Sequence, residues 1–254
     1  GNAYRIEVNA LPDTLPANGI EKSKITARVL DANDNIINKA TVKFNATFGN
    51  IIESVNTDEN GIAKADFSST QVGLVTITAT VEIGETQVQG ATTLQCIPGD
   101  PYSIEVTYDP HFMYVRDTGK RQTVTIFAAV KDEKNNPVKD STDVRFRIYA
   151  SPEDGDMLSS LNPADPDGYT YTIPTVHGVS HVSYTSGIRA GTARIQADVF
   201  DKDGNVIVTG ISTEIVIYGG PPYMTSILDR KSTHLTVTSK RLNIWYGIDT
   251  TMVT

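Results

Sequence analysis

Histidine, cysteine and clustered carboxylates are where chemistry would show first, and this sequence of 254 residues uses them sparingly. His177 and His181 stand at the i, i+4 spacing of a helical zinc pair. The stretch around them, VHGVSHVSY from Val176, alternates apolar and polar residues as a strand does. On a strand that spacing separates the two rings by about 13 Å, too far for one metal ion. The other histidines are His111 and His234. Cys96 is the single cysteine, so disulfide, zinc-thiolate and Cys-x-x-Cys chemistry lack a second sulfur; it reads as a buried structural thiol ahead of a linker. Ser183, in SYTSG, is not in the G-x-S-x-G setting of a strained nucleophile. GGPPY at Gly219 reads as a linker, not a phosphate-cradling loop. No pair of carboxylates is singled out for acid–base work. The expectation is a non-catalytic protein with no cofactor.

Calcium is the one metal the acidic residues raise. DANDN at Asp31 and DKDGN at Asp201 carry the oxygen donors of a calcium loop but not its bidentate Glu at the twelfth position, and Asp, Asn and Gly are also what a tight turn requires. A denser group, Asp154, Asp156, Asp165 and Asp167 with Glu153, is the candidate calcium set, a solvated loop being the alternative reading. For binding a partner, the aromatic residues in DPHFMYVRD (Phe112 and Tyr114) and the lone Trp245 in LNIWYGI are the candidate interaction surface, against packing within the fold or on a neighbouring domain.

The net charge of −8 is unevenly spread: the first 218 residues hold 28 acids and 18 bases, while the last 36 hold 2 acids and 4 bases. An acidic surface repels a phosphate backbone, so nucleic acid is not an expected partner. No run of about 18 apolar residues exists to span a membrane, and the amino terminus has no charged n-region followed by an apolar core.

The elements that position these residues are strands. KITARVLD from Lys24 sets Ile25, Ala27 and Val29 on one face and Thr26 and Arg28 on the other. The same alternation marks VKFNA from Val42, VTITATV from Val75, VTIFAAV from Val124, VRFRI from Val144 and ARIQADV from Ala193. Turn clusters separate them: DANDN, ENG at Glu59, KNNP at Lys134, DPDG at Asp165 and DKDG at Asp201. Short strands at this spacing predict an all-β fold of Ig-like sandwiches.

The chain repeats. GNAYRIEV at Gly1 returns as GDPYSIEV at Gly99, and GPPYMTSI at Gly220 is a fainter third version. Aligned on Tyr4 and Tyr102, Gly61 meets Gly178 and Gly73 meets Gly191. The domains read as 1–98, 99–219 and an incomplete third, 220–254. The second copy is longer by 23 residues, 16 of them between Asp132 and Gly178, which predicts an inserted loop or hairpin near 150–175. Prolines 98, 101, 221 and 222 stiffen the joints. The last 35 residues fall below the size that folds alone, and read either as a cut domain or as a donor segment for self-association.

The order of these elements resembles a known family. A strand, a V-x-D-x-x-x-N turn (Val29 to Asn35), V-x-F (Val42 to Phe44), T-D-x-x-G-x-A (from Thr57) and G-x-x-T-I-T-A-T-V (Gly73 to Val81) are similar to the bacterial Ig-like (Big-1 type) repeats of the invasin and intimin family of cell-surface proteins. The second copy departs from the pattern at TVHGVSHVSYTS. The resemblance implies an extracellular location on a bacterial surface and a semi-rigid spacer or adhesion module, with a protein or glycan at a cell surface as partner. Accessory or carbohydrate-binding domains of a secreted enzyme, and a self-assembling surface-layer or filament subunit, are the alternatives.

Overall fold

The structure is a computed structural model that describes residues 2–83, 86–152, 155–160, 162, 164–166 and 169–220. Asp154, Asp167, Trp245 and His234, and the third repeat from Pro221 onward, lie outside the described residues.

Two β-sandwiches follow one another. In the first, β1 (Arg5–Leu11), β3 (Ser23–Leu30), β7 (Ile62–Ser68) and β5 (Asn50–Ile51) form one sheet in the order β1-β3-β7-β5. The facing sheet runs β2-β9-β8-β4-β6, from β2 (Thr14–Pro16), β9 (Thr86–Ile97), β8 (Gly73–Ile83), β4 (Thr41–Ala46) and β6 (Ser54–Asn56). Period-two alternation builds the core: Ile25, Ala27 and Val29 of β3 face Val75, Ile77 and Ala79 of β8 across the sandwich, and all six are fully buried.

The first strand changes sheets partway. Pro12 has no N–H to continue the β1–β3 ladder, so the chain crosses over and β2 pairs parallel with the end of β9, Leu15 opposite Cys96. The crossing is pinned by the Ser23 hydroxyl, which donates to the Pro12 carbonyl at 2.6 Å. It also requires β1 to lie directly over β9. Gly90 permits this, since a Cβ there would stand 2.3 Å from the Ile6 carbonyl oxygen.

The second sandwich repeats the plan. One sheet is β10 (Ser103–Asp109), β12 (Thr123–Lys131), β16 (Val179–Thr185) and β14 (Met157–Ser159); the other runs β11 (Phe112–Tyr114), β19 (Ile215–Tyr218), β17 (Gly191–Phe200), β13 (Asp143–Ala150) and β15 (Tyr171–Pro174). β18 (Val206–Ile211) also pairs with β17, so β18 and β19 together take the place of β9. Buried Ser212 bridges the break between them, its N–H donating to the Ile195 carbonyl and its hydroxyl accepting from the Ile195 N–H. Among the described residues the cores of the two sandwiches share none.

Part of the second copy's additional length lies between β14 and β15. In the first sandwich two residues separate β5 from β6; in the second, residues 160–170 separate β14 from β15. β14 pairs with β16 and β15 with β13, so the two strands that flank this stretch belong to different sheets.

Candidate functional site

The five residues between β9 and β10 form the joint between the sandwiches. Pro98 and Pro101 have fixed φ and no N–H, and the Tyr102 N–H donates to the Lys131 carbonyl at 2.8 Å. The Gly99 N–H donates to Oδ2 of Asp132 at 3.0 Å. Asp132 is buried, 3% exposed. Its Oδ1 accepts the N–H groups of Lys134 (2.9 Å) and Asn136 (2.8 Å), closing an Asx turn. The Asn136 amide donates both to Oδ2 of Asp132 (3.0 Å) and to the carbonyl of Thr70 in the first sandwich (3.0 Å). Burial works to raise the pKa of Asp132, but the N–H groups of Gly99, Asn136 and Lys134 outweigh it and hold the carboxyl below its usual range. Beside these bonds lies an open cleft of about 500 Å³, lined by Pro16 and Ile97 of the first sandwich and by Pro101, Tyr102, Asp132 and Lys134.

The Asp132 turn has internal counterparts at Asp31, Asp58 and Asp201. Asp31 accepts the N–H groups of Asn33 and Asn35, both at 2.9 Å, and Asp201 those of Asp203 (2.9 Å) and Asn205 (2.8 Å). Donors from Asn35 and Asn33 in one, and chiefly from Asn205 in the other, lower both pKa values. In both turns the first carboxylate, Asp31 or Asp201, receives hydrogen bonds from its own turn, while Asp34 accepts from Arg5 at 2.9 Å.

At the far end of the second sandwich the aromatic candidates come together. Phe112 and Tyr114 stand edge-to-face at 6.2 Å, and Tyr218 approaches them at 6.1 and 5.8 Å. Lys120 Nζ lies 4.4 Å above the Tyr114 ring. Phe112 and Tyr218 are each nearly half exposed. Nothing in the sequence around Tyr218 signals this role: it lies a hundred residues away, and only the parallel pairing of β11 with β19 brings it alongside Tyr114.

The described members of the candidate calcium set are tied locally. Asp165 accepts the Thr170 hydroxyl (2.8 Å), the Thr172 hydroxyl (3.0 Å) and the Thr172 N–H (3.2 Å). Asp156 Oδ1 accepts the Gly187 N–H, and its carboxylate lies beside the fully buried Tyr184 hydroxyl. Among the described residues no three His, Cys, Asp or Glu side chains converge to hold a metal ion, and no helix is long and apolar enough to cross a membrane.

His177 differs from its reading as a strand residue. It has φ +52° and Gly178 φ +74°, a type I′ pair between Val176 and Val179, and β16 begins only at Val179. This turn explains why the second copy departs from T-D-x-x-G. Buried Thr175 nevertheless keeps the role of Thr57: each hydroxyl accepts a backbone N–H (Thr142 at 3.1 Å, Ala40 at 2.9 Å) and donates to a carbonyl (Lys139 at 3.1 Å, Ile37 at 2.7 Å).

Residues 5–96 match the family model described as bacterial Ig-like domain (group 1). The first sandwich is therefore a bacterial Ig-like domain of group 1. Among solved structures, InvD of Yersinia pseudotuberculosis matches 85% of the chain at 19% identity with a TM-score of 0.53, this chain covering 58% of that one. The adhesin InvE of the same organism matches 85% of the chain at 20% identity, TM-score 0.41, with 60% of that protein covered. The D0-D1 domains of intimin match 84% at 19% identity, TM-score 0.31, with 97% covered. At 19% identity the likeness to InvD is one of fold, and the chain spans about three fifths of InvD and of InvE. Tandem Ig-like sandwiches thus describe both repeats, the second through fold alone.

Proposed function

We propose that this chain is a non-catalytic segment of a bacterial cell-surface adhesin, located outside the cell, in which the units 1–98 and 99–219 act as a spacer. The head-to-tail joint carries the reading. The first sandwich releases the chain at Ile97, beside Pro16 and Thr70, and the second receives it at the opposite kind of end, on the Asp132 turn. The second sandwich in turn releases the chain at Gly219, beside Ala190, next to its own aromatic cluster. A chain that enters at one end and leaves at the other adds length with each repeat. The eleven residues of β8 span roughly 36 Å, so two units in line extend on the order of 80 Å. The group 1 family match and the InvD-like fold support the surface setting.

Small-angle scattering and cell binding test the reading together. A spacer gives a monomer with a largest dimension on the order of 80 Å and no saturable binding of the labelled chain to cultured epithelial cells. Saturable binding lost on Phe112→Ala with Tyr218→Ala would replace the spacer by an adhesive module, and a compact particle would remove the spacer altogether.

A further inference from the structure

We propose that Asp132 is the lock of the joint, a carboxylate that fixes the angle between the two sandwiches by holding the linker glycine and, through Asn136, the first sandwich. What matters first is which bonds are free to turn. In the linker Pro98 and Pro101 have fixed φ, and Tyr102 is tied into the second sandwich through Lys131. Besides the ψ angles of the prolines, Gly99 and Asp100 remain, and Gly99, with no Cβ, is the softest of these. The Asp132 carboxylate takes the N–H of that residue.

The second hold reaches further. The Asn136 amide bridges Asp132 Oδ2 and the Thr70 carbonyl, so a single side chain connects the carboxylate to a loop of the preceding domain. Hydrogen bonds to an ionised acceptor are the stronger kind, and water competes little for the acceptor oxygens of a buried residue such as Asp132. Swinging the first sandwich away would break the Thr70 bond, and turning the linker would pull the Gly99 N–H from a buried anion. The Asx turn itself is not the lock. Asp201 makes the same turn between β17 and β18, where its carboxylate accepts from Asp203 and Asn205 of that turn, and supplies an internal control.

This inference deepens the spacer reading and rests on it for its purpose, but its test reads only the joint. Residual dipolar couplings of the full chain report whether the two sandwiches share one alignment tensor. The wild-type chain is expected to show one tensor. Asp132→Asn keeps an oxygen for the turn but presents an NH₂ to the Gly99 N–H and the Asn136 amide, so the tensors are expected to separate while both sets of amide shifts stay folded. Asp201→Asn is expected to leave the shared tensor intact. If Asp132→Asn unfolds the second sandwich, Asn136→Ala decides, since it removes the Thr70 bridge and leaves both Oδ1 bonds of the turn. A tensor still shared in the folded variant, or one lost equally in Asp201→Asn, overturns the lock. Failure of the spacer reading appears instead as saturable cell binding with the shared tensor unchanged.

Discussion

Tyr184 and Phe67 occupy one position in the two repeats, each paired with the neighbouring strand and with the short edge strand: Val124 and Leu158 for Tyr184, Ser23 and Ile51 for Phe67. The hydroxyl is the difference. Burial, and then the adjacent Asp156 carboxylate, push the Tyr184 pKa far above its ordinary value, because phenolate would be formed out of water and next to a negative charge. In the unfolded chain the same phenol ionises near pH 10. The unfolded state therefore releases a proton above that pH that the folded state keeps, and stability falls as pH rises from about 10. The second sandwich should lose about 1.4 kcal/mol per pH unit from this group above pH 10, and Tyr184→Phe should remove that slope. Urea unfolding at pH 8 and at pH 11 measures both. The need for an apolar ring here was legible from the alternation of VSHVSYTS, but its carboxylate neighbour was not, since Asp156 reaches Tyr184 only after the chain has crossed between sheets.

At the scale of elements, the long strands could be read from period-two alternation because each buries one face, as with Ile25, Ala27 and Val29. What escaped were the pieces defined by distant partners. β2 and β11 are three residues each, too short for a pattern, and are strands only because β9 and β19 offer a parallel edge. The Asp132 turn was visible as a turn, recurring as Asp31–Asn35 and Asp132–Asn136, but its hold on Gly99 depends on where the linker lands. Gly90 was equally silent, because its reason is the backbone of β1 lying across it. Gly90→Ala would set a Cβ against the Ile6 carbonyl oxygen, and a rigid backbone atom has no rotamer with which to yield. The expected cost is about 2–3 kcal/mol, the usual penalty for overpacking. Gly204→Ala is the comparison: with φ +83° and no described atom within 4 Å it meets only backbone strain, about 1 kcal/mol. Thermal melts of the two variants should rank in that order, and equal losses would mean that β1 does not close over β9 at Gly90.

For the whole molecule, the question is whether two sandwiches that hold a fixed angle also share their stability. Their described cores have no residue in common. Among the described residues, hydrogen bonds tie the joint through the Gly99 N–H on Asp132 and the Asn136 amide on Thr70. Two hydrogen bonds of net value near 1 kcal/mol each can set an orientation, because orientation is opposed only by the entropy of a few linker torsions. They cannot merge two hydrophobic cores into one cooperative unit, since burying the apolar side chains of either core stabilises it by far more than two such bonds. A rod can thus have stiff joints and independent links. Scanning calorimetry of the chain should show two transitions, and residues 1–98 alone should fold and melt within about 8 °C of the matching one, the shift that the loss of about 1 kcal/mol produces in a domain of this size. A single transition, or an isolated first unit that fails to fold, would mean that the joint carries stability as well as angle.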